Sequence, residues 1–506
     1  MWLVPLVAAS GLLRWEGRHA WFWIDEGISV GIASHSLAEL PGVLRQDGAP
    51  PLYSLVLHLW MRLFGDGEAA THALSWTFAL ACIPVAWWAG RTVFGERTGR
   101  VAAVLAAGLP FLTAYANETR PYTLLALLSL LVATTCTRAL LHGERRMLPA
   151  FAASLVAMLY THAWGGYVAA AAVAAVAAVW ARSRYRRPRL ARDGALSFGV
   201  AALCFAPWLP ILLHQVRHTG APWSRVPGPE DALRQLGGLA GDQRVLAALL
   251  VAAAALAPLV AGRGRVGREA RTVQFLGVLF VLPVVLAWVG TQVEPSWAAR
   301  YLAVVLGPAL LLVAHGLARA GVHGVVALLV ALVVWIDPVA RLAGEAPEPR
   351  ATRKSNVRTV TNAFAGALRP GDVVVSTQFE QVPVLRYYLR TPGLRFATPL
   401  GPVADPTVAD WRDIEERLAA ADVGATARSL LDPLAPGTHV VLVSPRLRPP
   451  ADAPEWFDLF LRLDAEWRAA LVAHPRLRAG PVVGDPPEGR RIRNTSVRAA
   501  LFTVER

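Results

Sequence analysis

The chain has 506 residues, of which 55% are hydrophobic and only 17% charged, with a mean hydropathy of +0.41. Soluble proteins carry about 25% charged residues, so this composition excludes an ordinary soluble domain and makes the bilayer the relevant solvent. The net charge of +14 would suit a nucleic-acid binder, but many of the arginines sit in short gaps between apolar runs, as in membrane proteins, and no nucleic-acid partner is expected.

The first apolar run, Trp2 to Leu13, is short of the roughly 20 residues that a span needs. No small-residue cleavage site follows it, so it reads as a first helix that is clipped or tilted rather than as a signal peptide. The run Leu52 to Phe64 follows Pro50-Pro51, holds His58 and Arg62, and reads as a re-entrant or interfacial helix. Further spans are expected near 69–90, 100–116, 121–141, 148–161, 164–181, 195–213, 245–262, 272–290, 301–318 and 323–341, about eleven in all. If 52–64 does not cross, one side receives Arg91, Arg97 and Arg100, then Arg145 and Arg146, then the cluster from Arg182 to Arg192, then Arg263 to Arg271. That side is cytoplasmic by the positive-inside bias. The segment Arg14 to Glu68 and the loops at 117–120, 161–163, 214–244 and 291–300 are then outside. Cys82, Cys136 and Cys204 lie in apolar runs and suggest buried thiols rather than disulfides or metal ligands.

From about 345 the chain becomes rich in Pro, Arg, Asp and Glu. Strand-like runs at 372–376, 439–443 and 499–504 alternate with helix-like stretches near 356–368, 406–421 and 455–472. The predicted architecture is a polytopic α-helical membrane domain over 1–344, followed by a soluble α/β domain over 345–506 on the outer side.

Acids, arginines and one histidine gather at helix ends on that outer side. They are Asp25 and Glu26 after the first helix, Asp47 before Pro50-Pro51, Glu118, Arg120 and Tyr122, then His162, then Arg300 and Tyr301. Polar groups near membrane depth are costly and tend to be functional. The spans themselves are nearly free of ionisable residues, which weakens a transporter or flippase reading. Each piece also has a plain explanation: a solvated acidic loop, snorkelling arginines, a packed histidine, a proline helix start.

The ordered set resembles the polyprenyl-phosphate-sugar-dependent glycosyltransferases of the C-type superfamily. This superfamily includes protein O-mannosyltransferases and the lipid A aminoarabinose transferase. The resemblance rests on Trp23-Ile24-Asp25-Glu26, the stretch from Pro50-Pro51-Leu52-Tyr53 to Glu68, and Gly90 to Gly95. It continues with Glu118-Thr119-Arg120-Pro121-Tyr122, Leu159 to His162, and Arg300-Tyr301-Leu302, covering about residues 1–320. Relatives often carry His or Lys just before the Pro-Pro pair, where this chain has Ala49, and a Met or similar residue where it has Pro121.

The resemblance implies transfer of a sugar from a polyprenyl-phosphate donor to a hydroxyl on a glycan, lipid or protein acceptor, with inversion. It makes Asp25 the base. Glu26 would orient the acceptor, assist a metal or fix the loop. Arg120 and Arg300 suit the donor phosphate, because a guanidinium fork matches its oxygens. Asp47, Glu118, Tyr122, His162 and Tyr301 are candidates for sugar, phosphate or acceptor contacts. A divalent metal on Asp25, Glu26 and Glu118 is left open, and no other cofactor is implied. The competing readings are a glycan ligase or polymerase using polyprenyl-diphosphate donors, a lipid-linked-sugar flippase, and a non-catalytic scaffold.

Overall fold

The computed structural model describes residues 2–183, 188–241, 266–343, 354–449, 453–484 and 495–506. The expected span at 245–262 and the domain boundary at 344–345 both fall outside them. Helix α1 covers Leu3–Trp15, α2 Ile24–Ala33, α3 Leu40–Asp47, α4 Leu52–Phe64 and α5 Glu68–Val93. Every other expected span falls on a helical segment. Among the described residues six stretches are long and apolar enough to cross a bilayer: Glu68–Val93, Tyr122–Leu141, Gly165–Arg182, Pro188–His218, Gly267–Thr291 and Ala299–Arg319. The protein is a membrane protein built mainly of helices. Helix α4, at 13 residues, measures about 20 Å, well short of the hydrocarbon thickness.

The span expected at 100–116 is two helices, Glu96–Gly108 and Pro110–Tyr115. Pro110 has no N–H and forces Leu109 out of the helical region, to φ −60°, ψ 119°. The carbonyl of Ala106 thereby loses its helical donor. The buried Arg14 guanidinium supplies one: Nη2 donates to Ala106 O and Ala107 O, both at 3.0 Å, while Nη1 donates to Ser10 Oγ at 2.7 Å. Arg14 therefore fastens α1 to the break in a neighbouring helix instead of reaching solvent. Cys82 and Cys136 are buried as expected, but Cys204 is exposed on the outside of the bundle.

The C-terminal part is a mixed six-stranded sheet in the order β3-β2-β1-β4-β6-β5. Its strands are β1 Val373–Ser376, β2 Arg395–Thr398, β3 Gly401–Pro402, β4 His439–Pro445, β5 Leu477–Val483 and β6 Val497–Val504. Strand β1 runs parallel to β2 and β4, and β6 runs antiparallel to β4 and β5. Successive side chains of a strand point to opposite faces. Val373 and Val375 enter one apolar core with Val440 and Leu442, and Val374 enters another with Val441 and Val443. Both faces are covered, which explains why these strands read as continuous apolar runs.

Both cores also take residues from the segment between α1 and α4. Ile24, Ile28 and Ile32, one stripe of α2, pack into the first core with Leu40, Val43 and Leu44 of α3; Phe22 and Val30 pack into the second. The C-terminal domain is thus built around α2 and α3 from the far end of the chain. This contact corrects one expected helix. Of 406–421 only Ile414–Ala419 is helical. The residues before it are drawn across α2 and α3, where Trp411 N donates to Gln46 O at 2.9 Å.

Candidate active site

Helix α2 begins at Ile24, so Asp25 and Glu26 fall in its first turn, where the helix dipole favours negative charge. The two carboxylates point apart. Glu26 is turned into the protein: Oε1 accepts from His72 Nε2 at 2.6 Å and from Thr119 N at 2.7 Å. Its Oε2 accepts from Trp23 N at 3.4 Å, the return bond of a capping box. His72 Nδ1 meets Arg18 O at 2.7 Å. A carbonyl only accepts, so Nδ1 carries a hydrogen, and the Glu26–His72 pair is net neutral wherever the proton between them sits.

Asp25 faces two cations instead. Its Oδ2 lies 3.7 Å from Arg120 Nε and 3.7 Å from Arg300 Nη2. These are ion pairs too long for hydrogen bonds. Asp25 Oδ2, Arg120 Nε and Arg300 Nε are all buried without a hydrogen-bond partner among the described residues. The other arms of Arg120 are held: Nη1 donates to Ser29 Oγ at 3.1 Å and to Asp25 O at 3.3 Å, and Nη2 to Tyr122 Oη at 3.4 Å. Arg300 lies over Trp223 and beside Tyr301, its Cζ 5.1 Å and 5.5 Å from the ring centroids. The sequence candidates Asp25, Arg120, Arg300, Tyr122 and Tyr301 therefore form one cluster.

His162 stands against Tyr301, ring centroids 4.5 Å apart. Burial, reinforced by Arg120 and Arg300, pushes its pKa down to about 3, so the imidazole is neutral. Its Nδ1 accepts from Trp164 N at 3.1 Å, which leaves the hydrogen on Nε2 as a donor. At the end of α3, Asp47 is pushed up to about 6 by burial, against the pull of Arg120 and with some repulsion from Asp25. Asp47 thus also belongs to the Asp25 neighbourhood.

Glu118 is buried and bonded to Lys354, the only lysine of the chain, while its Oε2 has no hydrogen-bond partner among the described residues. Lys354 also lies over the Trp23 ring, 4.4 Å from its centroid. Among the described residues no three His, Cys, Asp or Glu side chains converge as a metal-ligand set. Glu26 and Glu118 are committed to other partners, so the trio Asp25, Glu26 and Glu118 does not form such a set.

Two residues at the site escaped the sequence reading. Lys354 lies in none of the motifs that the sequence offers. Glu380, from a turn of the C-terminal domain, is buried and close enough to Asp25 to feel its charge. An acid in a soluble-looking segment carries no local signal for a site over a hundred residues away in the chain.

The structure is thus a helical bundle with a carboxylate between two arginines at one end, where an α/β domain packs against it. Residues 48–212 match the family model described as dolichyl-phosphate-mannose-protein mannosyltransferase, which bears out the resemblance carried by the motifs. The fold is similar to ArnT from Cupriavidus metallidurans bound to undecaprenyl phosphate, with a TM-score of 0.65 and 15% identity over 99% of this chain and 98% of that one. It is also similar to the arabinofuranosyltransferase AftD from Mycobacteria, with a TM-score of 0.56 and 18% identity over 100% of this chain and 40% of that one. The archaeal oligosaccharyltransferase AglB from Archaeoglobus fulgidus, in complex with an inhibitory peptide and a dolichol-phosphate, aligns with a TM-score of 0.54 and 11% identity over 87% and 69% of the two chains. No curated protein matches the chain.

Proposed function

We propose that this protein is a glycosyltransferase that moves a sugar from a polyprenyl-phosphate donor to an acceptor hydroxyl on the outer face of the cell membrane. The observation that carries the reading is the convergence of Arg120 and Arg300 on one unbonded oxygen of Asp25, each at 3.7 Å. The family match over residues 48–212 and the shared fold support it.

The acceptor oxygen attacks the anomeric carbon, and the bond from that carbon to the phosphate oxygen breaks. Polyprenyl phosphate leaves and the acceptor's proton passes to Asp25. Phosphate departs near neutral pH without being protonated, so one base suffices and no general acid is needed. Arg120 and Arg300 hold the phosphate as charge builds on the leaving oxygen. A base on the face opposite the leaving group inverts the sugar. Tyr122, Tyr301 and the Nε2–H of His162 line the sugar and phosphate side. Asp47 binds hydroxyls, and Glu26 fixes the loop of Thr119 to the first turn of α2. Glu118 anchors Lys354.

The distribution of arginines supports about eleven spans with α4 lying in the interface, which puts the Asp25 end and the domain at 345–506 outside. A lipid donor fits that geometry, since its prenyl tail stays in hydrocarbon while the phosphate reaches the helix ends.

The test is transfer by the full chain in nanodiscs. Labelled polyprenyl-phosphate sugars serve as donors, and an envelope extract of glycans, glycolipids and proteins serves as acceptor. Asp25→Asn is expected to lower turnover by about 100-fold or more, the usual worth of a positioned base. Full activity of that variant would remove Asp25 as base, and no transfer by the wild type from any donor would sink the reading itself.

A further inference from the structure

The short turn Phe379–Gln381 of the C-terminal domain packs against α2. It follows β1, and the next helix, Val382–Tyr388, lies directly on α2: a Cβ at Gly27 would come within 2.7 Å of Val384 Cα. The turn and its preceding residue, Gln378, carry three polar side chains where the domain meets the site. Gln378 is 5%, Glu380 6% and Gln381 0% exposed. Buried polar side chains are normally satisfied, and open valences among them call for an explanation.

These three are only partly satisfied by one another. Gln378 Nε2 donates to Glu380 Oε2 at 2.5 Å, and Gln381 Nε2 donates to Gln378 Oε1 at 3.4 Å. Gln381 Oε1 is buried without a partner among the described residues. Among the described residues, the bond from Gln378 is the only hydrogen bond that the Glu380 carboxyl group makes. Ser376 Oγ holds the backbone of the turn by donating to Gln378 O at 2.7 Å, so the shape does not depend on Glu380.

We propose that this turn is the acceptor subsite, and that Glu380 is the residue that holds the acceptor hydroxyl for Asp25. The inference rests on the glycosyltransferase reading and deepens it. A carboxyl group flanked by two amides matches a polyol, which both donates and accepts hydrogen bonds, so the acceptor is the sugar part of a glycan or glycolipid.

Burial pushes Glu380 up to about 8, opposed by the bond from Gln378 and assisted by the charge of Asp25. Near neutral pH it is therefore a carboxylic acid with a hydrogen to donate. The charged groups around this point are Asp25 of α2 and, near Asp25, Asp47 of α3, Arg120 and Arg300. Asp47, at about 6, titrates below the window that Glu380 controls. Ionisation of Glu380 sets a second negative charge beside Asp25 and removes the donor. Transfer therefore falls as pH rises through about 8.

The nanodisc assay tests this with Glu380→Gln and Glu380→Ala, checked by thermal melting. Glu380→Ala is expected to raise the KM for acceptor about tenfold, the worth of one lost hydrogen bond, and to leave the KM for donor within about twofold. Glu380→Gln cannot ionise. Whatever its rate near neutral pH, it should lose the fall in rate at alkaline pH, a change that a purely structural role would not produce. If Glu380→Ala proves unstable, the pH profile of Glu380→Gln decides. An unchanged acceptor KM in the alanine variant, or an unchanged alkaline limb in the glutamine variant, overturns the assignment while an inactive Asp25→Asn leaves the parent reading standing. A fully active Asp25→Asn strikes the parent reading instead.

Discussion

Asp25 and Glu26 are consecutive in the first turn of α2, so about 100° of helical rotation separates their side chains. That rotation assigns their work. Glu26 meets His72 and Thr119 and is saturated, whereas Asp25 meets two guanidinium groups and keeps one oxygen unbonded. Sequence alone could predict that the pair divides its roles, because adjacent residues of a helix face different ways. It could also place both arginines on the same side, because arginines at helix ends follow the topology. It could not reveal Lys354 or Glu380, whose partners lie 236 positions away in one case and at the other end of the chain in the other. At this scale Arg300 offers a sharp test. If it holds the donor phosphate, Arg300→Gln should cost about 100-fold in turnover and weaken donor binding, by analogy with the loss of one oxyanion-stabilising group. Arg300→Lys should recover part of that, since charge returns without the planar fork. Steady-state kinetics with varied donor distinguishes the outcomes, and a glutamine variant with wild-type kinetics would exclude Arg300 from phosphate binding.

Elements were legible where one physical signal dominated. Apolar runs became helices, and the valine run at 373–375 became the central strand because both of its faces are covered. They were less legible where a contact from far along the chain overrode local preference, as at 406–413. The reason lies in α2. Gly27 and Gly31 are four residues apart and so share a helix face. A Cβ at Gly31 would sit 2.0 Å from Thr407 O, and one at Gly27 within 2.7 Å of Val384 N. Two absent side chains let the backbone of the C-terminal domain close onto the helix that carries Asp25. Gly31→Ala is therefore expected to push the segment around Thr407 away, costing about 1–3 kcal/mol as overpacking does, despite the better helix propensity of alanine. Thermal melting of the purified variant checks the sign. A variant as stable as the wild type would mean that the seam is looser than its geometry implies.

On the scale of the whole molecule, the chain doubles back so that its end completes what its beginning starts. The segment between α1 and α4 contributes to both cores of the C-terminal domain, and that domain returns Lys354 and Glu380 to the site. The sequence showed a change of composition near 345 and hence two parts. It carried no sign that their cores interlock, because interlocking depends on which apolar stripe meets which sheet face. Lys354 offers a way to measure that coupling. It is the bonded partner of Glu118, a buried acid whose other oxygen has none among the described residues. Removing one member of a buried pair strands the other charge, which costs about 3 kcal/mol, whereas replacing both with neutral groups costs far less. Lys354→Met should therefore lower the unfolding midpoint, and adding Glu118→Gln should restore most of it. That non-additivity is the signature of a direct pair. Additive effects of the two substitutions would instead mean that Lys354 is held by the Trp23 ring, and that Glu118 answers to another group.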